Sequence, residues 1–313
     1  MPDKSFKAMM EEFRKAGEFT PEMVNIGGVV RPEETDRFID LVVKGNPILS
    51  RVTVDRARKL TKDVNVWELL RGVLQRVPQG TKPDKFTSFK NVGKKLEMKD
   101  AQLFAHIPMD YLRDNQHRPG LESMVGSRLA ETYGNDVTLL AFTGTADDFA
   151  GKAFDKLNKG WPQLLKDASD SHKVDVSDHT GGTPAAVNWE GLFSAMVEQL
   201  PDVYKGDKTV FLMSRGDAEL YQRQIGQMVG GLGHLLAKQN LTYLGYEIAP
   251  LNEMPRGHVI FTPLPNLVYG VNTSMERYRE YSGEERCIKY TFDSSFDFQV
   301  AVDDAAVIAW DKP

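Results

Sequence analysis

The stretch GTADDFAGKA, at residues 144–153, contains the residue types of a phosphate-binding loop: a glycine, a gap and then Gly-Lys. A Walker A loop needs four residues between its first glycine and the Gly-Lys pair, and then a Ser or Thr that binds magnesium. Here six residues separate Gly144 from Gly151, and Ala153 follows Lys152. The stretch also follows a helical pattern, whereas a P-loop follows a strand. We therefore interpret it as a polar loop that leaves a helix.

The histidines and the cysteine of this chain do not form a metal-binding motif. Neither HExxH nor any paired ligand spacing occurs, so the sequence predicts no metal site. The single cysteine also excludes a disulfide within the chain. These residues are His106, His117, His172, His179, His234, His258 and Cys287.

Other residues that could do chemistry are also isolated. Ser214 is not part of a GxSxG nucleophile elbow. Asp303 and Asp304 are neighbours near a strand end, and adjacent residues of a strand point to opposite faces. The tripeptide RGD at 215–217 is expected at the start of a helix, where an aspartate is favourable. The sequence therefore predicts no catalytic, cofactor-binding or metal-binding residue, and we expect a protein that is not an enzyme and needs no cofactor.

Composition limits the remaining classes of protein. The chain has 313 residues, 41% of them hydrophobic and 27% charged, which is typical of a globular protein with a sizeable core. Its net charge of −5 does not indicate a strongly basic nucleic-acid-binding surface. The amino terminus lacks the apolar core of a signal peptide, and no apolar run is long enough to span a bilayer. We expect a protein made in a cytoplasm, with no membrane partner.

The elements that would position these residues begin with an arm. Two amphipathic helices are predicted in the first 50 residues, one carrying Phe6, Met9, Met10 and Phe13 and one within RPEETDRFIDLVVKG. Their apolar faces need another surface, which is either the body of this chain or a neighbouring subunit. Residues 51–107 are predicted as strands and turns, with few apolar residues and many lysines between about 76 and 100. A two-stranded ribbon of this kind is marginal alone in water.

The longest helical pattern follows Pro119 and Gly120. Its apolar residues recur at three- and four-residue steps and are Leu121, Met124, Val125, Leu129, Tyr133, Val137 and Leu140. Gly134 within it makes a bend possible. Trp161, between Gly160 and Pro162, predicts a turn held by a buried indole, and residues 170–187 are predicted as a linker.

Residues 188–264 alternate between helix and strand patterns, which favours an α/β unit. The tail returns to β-structure. Within it, Phe296, Phe298, Val300 and Val302 alternate with polar residues, as in a half-buried strand.

The order of these elements resembles the major capsid protein of tailed double-stranded DNA bacteriophages, the fold named after coliphage Hong Kong ninety-seven. The resemblance is carried by RFIDLVVKGNPILSRVTVDR, the Lys-rich β segment, PGLESMVGSRLAETYGNDVTLLAFTGT, DKLNKGWPQLLKDA, NLTYLGYEIAPLNEMP, VIFTPLPNLVYGV and YTFDSSFDFQVAVDDAAVIA, in that order. It covers about residues 33 to 310.

The resemblance implies an α+β fold with named parts. Residues 1–50 would be the N-terminal arm, and 51–107 the extended β loop with its flanking strands. Residues 108–187 would form the peripheral domain, with a spine helix at 119–143. Residues 188–264 would form the axial domain, and 265–313 would return to the peripheral β-sheet.

The resemblance also implies a function and partners. The chain would be a structural shell subunit that assembles into pentamers and hexamers of an icosahedral virion head, put together in the host cytoplasm. Its partners would be other copies of itself, a separate scaffolding protein, a portal, a decoration protein, and packaged DNA through non-specific contact. About 30 residues precede the arm motif, which favours a separate scaffolding protein over a cleaved amino-terminal segment.

Two alternatives stay open at this point. A bacterial compartment shell of the encapsulin kind would share the fold and would package enzyme cargo in place of DNA. An α/β enzyme with an unrecognised site in 188–264 would form a monomer or small oligomer with a defined pocket.

Overall fold

The computed structural model describes residues 28–29, 32–68, 90–114, 121–146, 153–181, 186–227 and 241–311. The helices in these residues are α1 Pro32–Gly45, α2 Met109–Asp114, α3 Leu121–Thr143, α4 Trp161–Asp167, α5 Trp189–Gln199 and α6 Arg215–Gln227. The first eight strands are β1 Gly28–Val29, β2 Thr53–Ala57, β3 Thr61–Glu68, β4 Lys90–Glu97, β5 Lys99–Pro108, β6 His172–Asp175, β7 Thr180–Gly181 and β8 Ala186–Val187. The others are β9 Thr209–Ser214, β10 Thr242–Tyr243, β11 Tyr246–Leu251, β12 Val259–Pro263, β13 Leu267–Asn272, β14 Glu276–Ser282, β15 Cys287–Val300 and β16 Val307–Trp310.

Strand β15 is the centre of the first of two six-stranded sheets, which we call sheet 1. Along one edge, residues 287–293 of β15 pair antiparallel with β14, and residues 296–300 pair antiparallel with β13. The other edge of β15 pairs antiparallel with β5. β2 joins β13 in parallel and β1 joins β14. Phe296, Phe298 and Val300 point to one face of the sheet and are at most 3% exposed. The alternation predicted for this strand is therefore confirmed at these three residues.

Sheet 2 has the strand order β10-β11-β9-β12-β16-β6. Every residue of β9 is buried: Val210 and Leu212 belong to a core shared with sheet 1, while Phe211 and Met213 pack on the opposite side against α5 and α6. Both faces of this strand are covered, which is why it is continuously apolar in the sequence.

Two predictions about the strands of sheet 2 were wrong. The tail does not return entirely to sheet 1, because β16 lies between β12 and β6 in sheet 2. The predicted linker 170–187 also contains β6, which runs parallel to β16. In both cases burial decides. Val307 and Ile308 of β16 are fully buried on opposite faces of sheet 2, and Val174 of β6 is 5% exposed.

Helix α3 is the long helix predicted at 119–143. Its 23 residues span about 34 Å. Tyr133, Val137 and Leu140 lie in the core, whereas Leu129 is half-buried. The helix is continuous through Gly134, and a Cβ there would lie 3.4 Å from the Val42 carbonyl oxygen. The glycine thus allows α1 to approach α3 closely.

Helix α1, the second predicted arm helix, packs on the body of its own chain. Ile39 and Val42 are 2% and 3% exposed, and the Phe38 ring lies 5.7 Å from that of Tyr133 and 6.0 Å from that of Phe292. Leu41 is on the other side of the helix and is 48% exposed. The first predicted arm helix lies outside the described residues.

The loop after α3 is held by close backbone contacts. Gly160 N donates to the Gly144 carbonyl oxygen at 3.0 Å, and a Cβ on Gly144 would lie 2.2 Å from the Asn158 carbonyl oxygen. Only glycine fits there. The described part of GTADDFAGKA therefore leaves a helix, as predicted, while Asp147, Asp148 and Lys152 lie outside the described residues.

Candidate assembly surface

Strands β3 and β4 form a two-stranded ribbon that belongs to neither six-stranded sheet. They pair antiparallel from Thr61 opposite Glu97 to Glu68 opposite Lys90. An isolated hairpin is marginally stable in water, so the ribbon depends on its contacts with the rest of the chain. Its attachment to the body of the chain therefore decides which way the ribbon points.

The base of the ribbon lies against β15 and is held by polar contacts. Glu97 N donates to Asp297 Oδ2 at 2.9 Å, and Gln299 Nε2 donates to the Lys95 carbonyl oxygen at 3.1 Å. Lys94 forms an ion pair with Asp303, in which the two side chains are 23% and 17% exposed. Water is largely excluded from this pair, so it is worth more than an ion pair on the surface.

Apolar contacts complete the base. Leu96 and Met98 are 0% and 5% exposed, although they flank exposed ribbon residues. A Cβ on Gly270 of β13 would lie 3.1 Å from both terminal methyl groups of Leu96. The glycine therefore leaves room for the leucine, and this pair fixes the point at which the ribbon meets sheet 1.

Asp297 is the group at this junction whose pKa is shifted most clearly. Burial raises its pKa to about 6, although the backbone N–H groups of Glu97 and Phe298 donate to its carboxylate and oppose the shift. The folded chain therefore binds the Asp297 proton more tightly than the unfolded chain, in which an aspartate has a pKa of about 4.

We expect the contribution of Asp297 to the free energy of unfolding to fall as pH rises from about 4 to about 6. Integrated over that window, the fall amounts to about 3 kcal/mol, because one pKa unit corresponds to about 1.4 kcal/mol. Urea denaturation of wild type and Asp297→Asn at pH 4, 5, 6 and 7 gives the free energy of unfolding of each protein. The difference between the two free energies at each pH measures the contribution of Asp297. A flat or rising difference would contradict the assignment.

Exposed apolar side chains mark further surfaces that could contact another chain. Tyr278 of β14 and Phe104 of β5 both pair with Thr291 of β15, so all three point to the same face of sheet 1. Phe104 is 64% exposed and Tyr278 37% exposed. Around sheet 2, Val203, Leu220 and Leu244 are 52%, 46% and 70% exposed. Single exposed apolar residues are common, but the two aromatic rings on this sheet face form a candidate contact surface.

Ser214 and Asp217 have structural partners. Ser214 Oγ accepts from Asp217 N at 3.1 Å at the start of α6, as an N-terminal helix cap does. Asp217 Oδ2 accepts from Gly257 N at 2.8 Å and its side chain is buried. The RGD tripeptide thus begins a helix, as predicted, and its aspartate ties that helix to the loop before β12.

The remaining polar candidates are dispersed. Asp303 pairs with Lys94, whereas Asp304 accepts from His172 Nε2 at 3.0 Å, so the two adjacent carboxylates serve different partners. His258 contacts Lys166 Nζ at 2.8 Å through Nε2, and burial lowers the pKa of both side chains. His106 lies beside Glu285 and Cys287. His117 and His234 are outside the described residues.

No helix in the described part of the chain is long and apolar enough to cross a membrane.

Comparison by sequence finds no matching protein family and no matching curated protein. Comparison by structure finds many matching chains. A chain of the satellite phage P4 procapsid, which includes the size determination protein, aligns with a TM-score of 0.67 at 14% identity, over 88% of this chain and 98% of that chain. The capsid of the native GTA particle aligns with a TM-score of 0.59 at 13% identity, over 94% and 95%.

The holo-SrpI encapsulin complex from Synechococcus elongatus PCC 7942 aligns with a TM-score of 0.52 at 10% identity, over 85% of this chain and 87% of that chain. Identities this low establish the fold alone. The chain has the major capsid protein fold of tailed phages, and the resemblance predicted from the order of its elements is confirmed.

Proposed function

We propose that this chain is the structural shell subunit of a bacteriophage head, which assembles into pentamers and hexamers around packaged double-stranded DNA. The observation that carries this proposal is the extent of the structural match, which spans nearly the whole of this chain and of phage capsid chains. A fold alone does not define a function. Here, however, the matched proteins are shells, and this chain has features that suit contact between copies.

The ribbon β3–β4 is the first of these features. It stands outside both sheets and is attached through Leu96, Asp297 and Asp303. We assign it to the extended loop that reaches a neighbouring subunit, with residues 51–107 as the loop and its flanking strands. Main-chain pairing and charge complementarity can hold such a segment without a large apolar area.

The other parts are assigned in the same way. Residues 1–50 are the N-terminal arm, 108–187 the peripheral domain with α3 as its spine, and 188–264 the axial domain that meets its copies around the five-fold and six-fold axes. In the tail, 265–300 belongs with the peripheral sheet. β16 belongs with sheet 2, because it pairs with β12 and β6.

We propose four kinds of partner: other copies of this chain, a separate scaffolding protein, a portal and a decoration protein. We propose that contact with DNA is weak and non-specific, because a chain with a net charge of −5 has no overall attraction for phosphates.

A bacterial compartment shell is the second candidate, and the match to the SrpI encapsulin favours it. The two candidates predict the same subunit contacts but different contents. Phage heads enclose nuclease-protected DNA, whereas compartments enclose a cargo protein. Terminase and portal genes beside the coding sequence would identify a phage head.

The proposal is tested by expressing the chain alone and with its neighbouring genes. We expect closed shells, tubes or rings of five and six subunits by electron microscopy, and elution near the void volume in gel filtration. DNase treatment of the particles followed by extraction then separates protected DNA from protein cargo. A monomer that persists at high concentration under both expression conditions would contradict a shell function of either kind.

A further inference from the structure

Three side chains with metal-binding atoms meet at one end of sheet 1. They are His106 of β5, Glu285 of the turn between β14 and β15, and Cys287, the first residue of β15. One ligand atom from each lies within 4.8 Å of those of the other two. The sequence alone predicts no metal site, because His106 and Cys287 are far apart in the chain.

The strand register brings these residues together. Lys289 is opposite His106, and Cys287 is opposite Pro108, so His106 and Cys287 point to the same face of the sheet. The turn that carries Glu285 ends at Arg286, which has a left-handed φ of 49°. Met109 N donates to the Arg286 carbonyl oxygen at 2.9 Å and holds the turn against the end of β5.

The separation of the Cys287 and Glu285 donor atoms suits a tetrahedral metal. Cys287 Sγ lies 3.5 Å from Glu285 Oε2. Zinc binds sulfur at about 2.3 Å and a carboxylate oxygen at about 2.0–2.2 Å, so two such ligands at a tetrahedral angle are about 3.5 Å apart. A thiolate, an imidazole and a carboxylate are the ligand types that zinc takes in proteins.

We propose that His106, Glu285 and Cys287 form a binding site for a zinc-type divalent transition metal, with water as the fourth ligand. Glu285 already accepts two hydrogen bonds. The Cys287 thiol donates to Glu285, and Lys289 Nζ donates to Glu285 Oε1 at 2.9 Å. The metal replaces the thiol proton, which leaves to water as the sulfur–metal bond forms, and no electron is transferred. Oε1 keeps its contact with Lys289 while Oε2 binds the metal.

Such a site would join β5, β15 and the turn at the end of the sheet that carries α2. Among the described residues, a small apolar cluster of Met109, Ile288 and Tyr290, with three partly buried neighbours, packs there. A metal that binds the folded chain in preference to the unfolded chain stabilises it in proportion to the logarithm of its concentration. The cross-link would therefore strengthen a part of the sheet that has little core of its own.

Titration of the reduced, metal-free chain with CoCl₂ tests this proposal directly. Cys287 is the only cysteine, so a thiolate-to-cobalt charge-transfer band in the near ultraviolet identifies its sulfur as a ligand. We expect this band together with the intense visible bands of tetrahedral cobalt, and loss of both when ZnCl₂ is added. Cys287→Ser should abolish the near-ultraviolet band. His106→Gln and Glu285→Gln should each weaken cobalt binding by at least about tenfold.

His172→Gln is the matched control, because it removes a half-buried histidine outside the cluster. It should change cobalt affinity less than about twofold. Circular dichroism of each variant shows whether the chain is still folded, so that loss of a metal ligand is distinguished from unfolding. The proposal is wrong if folded wild type shows no charge-transfer band at millimolar cobalt. It is also wrong if the band keeps its intensity and midpoint in folded His106→Gln and Glu285→Gln, since cobalt would then bind the thiolate alone.

Discussion

Replacing Trp161 with alanine is expected to lower the free energy of unfolding of the unassembled subunit by about 3–5 kcal/mol. The indole is 0% exposed and makes edge contacts with Phe142 of α3 and Phe298 of β15. Its Nε1 donates to the Val268 carbonyl oxygen at 3.2 Å. Alanine would leave a cavity where α3, α4 and sheet 1 meet, and would also remove this hydrogen bond. Urea denaturation followed by far-ultraviolet circular dichroism, at one fixed protein concentration, measures the loss.

Trp310→Ala is the matched control for this change. Trp310 is half-buried, with Lys166 Nζ 5.5 Å from the centre of its ring. The same atoms are removed, but the site stays partly hydrated, so we expect a loss of about 1–2 kcal/mol. Equal losses for the two variants would contradict the placement of Trp161 at the centre of the core.

Replacing Lys94 with glutamate is expected to reduce shell formation by at least about fivefold while the subunit stays folded. The substitution places a carboxylate beside Asp303 in a pair whose side chains are 23% and 17% exposed. Breaking a pair at this depth costs about 1–3 kcal/mol, and each 1.4 kcal/mol is about tenfold in an equilibrium. Under the proposed function this cost falls on the attachment of the ribbon, and so on its contact with the next subunit. Sedimentation of particles against free subunits measures the yield.

A charge exchange makes this experiment specific. Lys94→Glu combined with Asp303→Lys restores opposite charges and should recover most of the shell yield. Lys95→Glu makes the same charge change at the neighbouring, exposed residue and should leave the yield within about twofold. If Lys95→Glu lowers the yield as much as Lys94→Glu does, net charge of the ribbon would be responsible, and the proposed role of the ion pair would be wrong.

The elements that the sequence predicted well are those with strong local periodicity. The long helix pattern from Leu121 and the apolar run of β9 both formed where expected, because near neighbours along the chain encode them. The resemblance to phage capsid proteins rests on the order of such elements, and the structural matches confirm it at the level of the fold. Trp161 was also predicted to be buried, from the glycine and proline that flank it.

By itself, then, the sequence determined the order and kind of the main elements, and with them the fold. The tertiary structure decided which strands pair: β16 joined sheet 2, and β2 joined β13 in parallel. It also decided where Asp297 is buried and which ligand-type side chains meet at His106, Glu285 and Cys287. The reason is how far apart along the chain the interacting residues are. Periodicity depends on residues a few positions apart, whereas pairing, burial and side-chain convergence depend on contacts between distant segments, which only the folded chain forms.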